Sequence, residues 1–324
     1  MRPVRKLLAG ATLAACLITL TASPSVADPL ELKVTPVPLF RDDLTRAELG
    51  RLVWRGGLDL TSADRRFGGL SALAIRPDGK EITAFSDHGF WVVMTPDYRD
   101  GKLVGISGAE LGVLAGEDGR PLEQSAQRDA ESVAVGVDGA MIIAFERNHR
   151  LWAYPPGEVL PSVILSPDEV ADAPSNGGIE ALTLLQNGKL FAVTEDFGRG
   201  DSVVGWISDR KGWDVVTVRT SGTFKPTGAA TLSGGDVLLL ERRFGLRGGI
   251  GSRIRRLSQD SIRAGAVIDG PEIARLDAGA TFDNMEGIGT WMTEDGRQMV
   301  YLVSDDNYSA LQRTYLMLFE LMAD

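Results

Sequence analysis

Seven acidic residues, Asp87, Glu131, Glu146, Glu180, Glu195, Glu286 and Asp305, stand at the ends of short β-rich runs where they could act together. In "GGIEALTLLQNGKLFAVTED" (177–196), Asn187-Gly188 separates two apolar runs, a strong short-range signal for a two-residue hairpin turn. A turn centred there pairs Glu180 with Glu195, their Cβ atoms roughly 5 Å apart. The same register about Asp138-Gly139 pairs Glu131 with Glu146, and about Asp295-Gly296 it pairs Glu286 with Asp305, provided no β-bulge intervenes. Like charges facing across a ladder raise each other's pKa unless they share protons or hold a cation. An all-carboxylate donor set suits Ca²⁺, which takes roughly 6–8 oxygens in flexible geometry, better than Zn²⁺. Those seven acids are therefore the expected metal ligands.

Basic side chains recur beside them. Arg147, Lys225 and Arg242 fall at hairpin ends or just beyond, and would bind the anionic group of a substrate. His88 and His149 follow the first two hairpins, and His88 joins Glu180 and Glu195 as the candidate catalytic set. Taken singly, each cation is as well explained by a salt bridge, and each histidine by a loop position. Ser71 in "GGLSAL" is not a G-x-S-x-G elbow, and "RGGIGSR" (247–253) lacks the P-loop pattern and reads as a long loop. No HExxH, CxxC or EF-hand pattern is present.

The elements that would position these residues repeat. Five segments share one pattern of small residues, an apolar run, a turn, a second apolar run and a polar or acidic end: 68–87, 128–147, 177–196, 225–243 and 283–306. Their turns are Asp-Gly, Asn-Gly or Gly-Gly, dipeptides that tolerate positive φ. Third runs follow ("FWVVM", "RLWAY", "SVVGWIS", "SRIRRL", "TYLMLFEL"), then weaker fourth ones ("LVGIS" or "LGVL", "SVILS", "WDVVTVRT", "PEIARL"). Four strands per unit, repeated at intervals of about 45–60 residues, predict an all-β propeller of five blades. The stretch 101–128 leaves room for a degenerate sixth, and an open sandwich is the rival fold. The fifth unit lacks a fourth run, and "LGRLVWRGGLDLTS" (49–62) would supply it by pairing the two ends of the chain. Equivalent strand ends would then crowd around one mouth of the central channel.

The first residues set the compartment. Arg2, Arg5 and Lys6 precede the apolar stretch Leu7–Leu20, and "SPSVA" ends at Ala27, the pattern of a signal peptide cleaved before Asp28. "LAAC" offers Cys16 as an alternative lipidation site. Cys16 is the one cysteine of 324 residues, so the mature chain has no disulfide and no thiolate chemistry. Residues 28–48 read as a lead-in and 49–324 as one domain. Loss of the leader takes the formal charge from −10 to −13, against nucleic acid or an anionic membrane as partner and in favour of cations. A periplasmic or secreted monomer with no integral membrane association is expected.

At the hairpin ends, "GGLSALAI…FSDHG", "RDAESVAV…FERN", "GGIEALTLL…TED", "PTGAATL…LERRF" and "NMEGIGTW…SDDN" resemble the bacterial phytase-like domain family, whose members carry the label of esterase-like activity of the phytase type. The likeness runs from about Phe67 to the C-terminus. It implies an exported propeller. By the more distant analogy with β-propeller phytases, it also implies Ca²⁺ at the channel mouth and ester or phosphoester hydrolysis by metal-activated water. Two other readings remain open: a propeller that binds a ligand or partner around a structural metal, and a lactonase-like propeller in which one carboxylate activates water on a carbonyl ester.

Overall fold

A computed structural model describes residues 27–209, 211–245 and 249–323. The expected leader, with Cys16, lies outside the described residues. The remaining chain forms five sheets whose innermost strands are Leu70–Ile75, Ala130–Val135, Ile179–Leu184, Lys225–Thr231 and Asn284–Met292. Each inner strand packs beside the next and the fifth beside the first, so the sheets close into a five-bladed propeller. Every predicted third and fourth run is a strand in its expected blade.

Ring closure follows the sequence. Leu52–Thr61 pairs antiparallel with Thr314–Leu321, Leu58 opposite Leu316, and completes blade 5. The lead-in is stitched to blade edges: Lys33–Pro36 pairs with Leu52–Thr61, and Asp28–Pro29 pairs with the outer strand of blade 1, Lys102–Val113. That outer strand absorbs most of the stretch that could have been a sixth blade. The rest of it carries one isolated bridge and the short helix Ser125–Arg128. Gly249–Leu257 is the third strand of blade 4, so the Gly-rich "RGGIGSR" opens a strand instead of forming a long loop; Arg247 and Gly248 lie outside the described residues.

Strand alternation explains why both faces of a blade are apolar. On Val237–Gly245, Val237 and Leu239 pack toward blade 3, while Leu238 and Leu240 pack toward blade 5. All four are fully buried, each contributing about 1.5–3 kcal/mol of burial free energy. Among the described residues no helix is long and apolar enough to cross a membrane.

Candidate metal centre

The first hairpin keeps the register its turn predicts, with Ile75 opposite Ile82. The other four are shifted by one residue. In the third, Leu185 donates to the Lys189 carbonyl (2.8 Å) around a three-residue loop, with Gly188 at φ +78°. Asn-Gly thus sits in a type I turn followed by a left-handed glycine, the second commonest hairpin solution. The shift alone would separate the predicted acid pairs. A β-bulge then follows in every inner strand at the same place, and the extra residues are Ser71, Glu131, Glu180, Thr227 and Glu286.

The predicted facing pairs are therefore corrected. Glu146 faces Asp129, its backbone N–H donating to the Asp129 carbonyl at 2.8 Å, and Glu195 faces Gly178 in the same way at 3.0 Å. Asp305 faces Asn284, and Glu241 faces Pro226 instead of Gly228. Yet Glu131, Glu180 and Glu286 remain at the inner ends of the blades, because a bulge places two residues of one strand against one of its partner. Equivalent positions thus form two tiers around the mouth: the bulged residues, and Asp87, Glu146, Glu195, Arg242 and Asp305 on the second strands.

Asp129, Glu131 and Glu146 each offer one carboxylate oxygen, and these three atoms lie within 4.8 Å of one another. Asp129 was not among the predicted ligands; the bulge-corrected register is the signal that finds it. Glu146 Oε1 accepts the Gly178 N–H at 2.9 Å, and burial pushes its carboxyl above the usual carboxylate range, with the Gly178 and Glu180 contacts opposing the rise. Burial first, then neighbouring acids, pushes Glu131 and Glu180 well above the usual carboxylate range. Burial likewise raises Asp87 to about 7, with Asp305 and Asp129 adding to it, and raises Asp305 to about 6. Glu286 rises to about 8, and its Oε2 is buried without a hydrogen-bond partner. Converging oxygen donors, raised pKa values and an orphaned carboxylate oxygen fit a hard divalent cation.

Of the predicted anion-binding residues, Arg242 enters the mouth itself. Its Nη2 is 3.1 Å from Glu195 and its Nε 3.2 Å from Glu286, while Nη1 donates to Asn284 Oδ1 at 3.1 Å. Burial works to lower the Arg242 pKa, but Glu286, Glu195, Glu180 and Glu131 outweigh it and the guanidinium stays charged. Arg147 pairs with Asp129, and Lys225 Nζ lies 2.7 Å from Asp196, both cations about half-exposed. Lys225 and Arg242 line a cleft of about 580 Å³ between blades 3 and 4.

His88 lies on the rim, its ring stacked on Tyr308 at 4.1 Å. Burial, helped by Arg128 and opposed by Asp129, lowers its pKa, so the ring is neutral near pH 7. His149 is committed to the Pro174 carbonyl at 3.1 Å, and its Nδ1 is buried without a partner.

Solved structures similar to the chain include a protein of unknown function from Dyadobacter fermentans (11% identity, 91% of this chain and 95% of that one, TM-score 0.41). Others are a catalytically inactive virginiamycin B lyase from Staphylococcus aureus (13%, 89% and 99%, 0.41) and a PQQ-bound aldose sugar dehydrogenase from Streptomyces coelicolor (12%, 90% and 99%, 0.43). Comparison with curated proteins finds no match. Residues 65–308 match the phytase-like family, described as esterase-like activity of phytase, and the chain belongs to that family.

Proposed function

We propose that the protein is an exported, Ca²⁺-dependent hydrolase of phosphoester or ester bonds acting at the propeller mouth. The observation that carries this reading is the convergence of Asp129, Glu131 and Glu146 oxygens within 4.8 Å. On the same mouth lies a partly buried guanidinium, Arg242. Glu180, Glu195, Glu286, Asp87 and Asp305 complete the set of carboxylates available to a cation. A bound Ca²⁺ would supply Lewis-acid polarisation of the ester oxygen and an activated water.

The chain's own groups do the rest. Arg242 and Lys225, on the wall of the cleft that leads to the mouth, orient an anionic group and balance charge that develops on it. Neutral His88 accepts a proton on its ring at the rim. Glu180, whose carboxyl lies beside that of Glu146, would share in holding the cation and its water. Arg147 holds the Asp129 carboxylate in place.

The test is to purify the mature chain, quantify bound Ca²⁺, and assay p-nitrophenyl phosphate and p-nitrophenyl acetate with and without EGTA. EGTA-sensitive turnover of phosphate supports the phosphoesterase form, and of acetate alone the lactonase-like form. Bound metal with no turnover of either would replace the proposal with a binding propeller around a structural cation. N-terminal sequencing that begins at Asp28 supports export.

A further inference from the structure

Blade 4 carries a second charged cluster on the sheet face opposite to Arg242. Along Val237–Gly245, alternation places Glu241 and Arg243 on the face that packs toward blade 3, in line with Val237 and Leu239. Glu241 is fully buried and accepts Arg253 Nε at 2.6 Å and Arg255 Nε and Nη2 at 2.8 Å. Arg255 spends its remaining donors on Asp269 Oδ1 (2.8 Å) and the Arg219 carbonyl (2.6 Å). Arg275 donates to Glu272 at 2.8 Å.

Two donors are left over. Arg253 is 5% exposed, and although Nη1 reaches Ser221 Oγ at 2.6 Å, its Nη2 is buried without a partner. Arg243 Nε is likewise buried and unpartnered, and among the described residues no carboxylate pairs with Arg243. The guanidinium carbons of Arg243, Arg253 and Arg275 lie 4.9, 4.4 and 5.3 Å from the ring centroid of Phe224. Together with the loop 221–224 these three arginines line an open cavity of about 320 Å³.

Four arginines thus meet three carboxylates, Glu241, Asp269 and Glu272, in a chain whose net charge is −10. A desolvated N–H of a charged group left unbonded costs more than a neutral one, and the planar guanidinium fork matches an oxyanion. We propose that this cavity is a binding site for a small oxyanion, a phosphate or carboxylate group, held by Arg243 and Arg253 with Phe224 as its floor. The site shares Gly222, Thr223 and Phe224 with the cleft lined by Lys225 and Arg242 but uses neither of those two cations, and it does not depend on the hydrolase reading.

Calorimetric titration of the full mature chain with inorganic phosphate, in EGTA so that a mouth cation contributes nothing, tests it. Saturable binding is expected, weakened at least tenfold by Arg243→Met. The same loss is expected for Arg253→Lys, which keeps a cation beside Glu241 but removes the second fork. Glu180→Gln should leave binding unchanged. Parallel titrations with phenyl phosphate and acetate separate a phosphate-ester ligand from a carboxylate one. No saturable binding of any of the three anions would overturn the proposal, as would binding that survives Arg243→Met or is lost in Glu180→Gln.

Discussion

Replacing Glu286 with Gln should stabilise the cation-free protein and flatten its pH dependence. Glu286 is 7% exposed. Burial, opposed by Arg242 and reinforced by Asp305 and Glu195, lifts its carboxyl from an ordinary 4.5 to about 8. Between those values the folded chain keeps a proton that the unfolded chain releases. Stability therefore falls as pH rises through the window, by about 1.4 kcal/mol per pH unit, and levels off above it. At pH 7 the accumulated cost is about 3 kcal/mol. Gln retains an acceptor for Asn284 Nδ2, now 2.7 Å from Glu286 Oε1, but loses one carboxylate partner of Arg242. The value of about 8 already contains the pull of Arg242, so the expected net stabilisation at pH 7 stays at about 3 kcal/mol. Urea denaturation in EGTA at pH 5.5, 6.5 and 7.5 measures this directly. The unmodified protein should lose stability with pH more steeply than the variant by about 1.4 kcal/mol per unit. Added Ca²⁺ should reverse the order at pH 7.5. Equal slopes in EGTA, or a variant less stable than its parent there, would refute a carboxyl whose proton is held by burial at this position.

Glu180→Gln should weaken Ca²⁺ binding, read by titration with a chelating dye, while leaving the EGTA-treated protein at least as stable as its parent. Arg242→Met strands Glu195 and Glu286 and should cost about 3 kcal/mol in urea denaturation at pH 8, with partial recovery toward pH 5.5 as Glu286 takes up its proton. Gly69→Ala puts a Cβ at φ +60° and 2.2 Å from Asp87 Oδ1, so a lower melting temperature is expected, by about 1–3 kcal/mol in stability. Deleting residues 28–61 removes the strand that closes blade 5, and the cooperative calorimetric transition should disappear.

The blades were legible in the sequence because their signals are local. Turn dipeptides, alternation and the spacing of apolar runs identified all five hairpins, and the C-terminal shortage of one strand pointed to 49–62 as its supplier. The register was less so. Asp-Gly and Asn-Gly serve a two-residue turn and a three-residue loop with a left-handed glycine about equally well, and the two differ by one residue in pairing. The bulges were invisible, because they arise where five inner strands converge on one axis, a constraint among blades that no single hairpin encodes. Both departures leave Glu131 and Glu146 in one cluster, but they bring in Asp129 and replace the facing pairs with two tiers. Arg242 was expected to bind substrate from the rim, and its place between Glu195 and Glu286 needed the neighbouring blades in three dimensions.

That one arginine decides what kind of mouth this is. On the second strands the tier reads Asp87, Glu146, Glu195, Arg242 and Asp305, and in the bulged tier blade 4 supplies Thr227 where three other blades supply Glu. Were position 242 acidic, the ring would be close to uniform, attracting a cation to its axis and repelling any anionic substrate. Arg242 instead neutralises the carboxylates contributed by blades 3 and 5, Glu195 and Glu286, and leaves the densest uncompensated group on blade 2, where Asp129, Glu131 and Glu146 converge. Arg147 offsets only the outer edge of that group through Asp129. The mouth is thereby uneven in charge, with the acids of blade 2 at one side and Arg242 of blade 4 at the other, where the cleft lined by Lys225 begins. Hydrolysis of an anionic ester needs both signs of charge within reach of one reacting group. A structural cation plug needs only the first, so the presence of a partly buried arginine inside the ring supports the proposed chemistry.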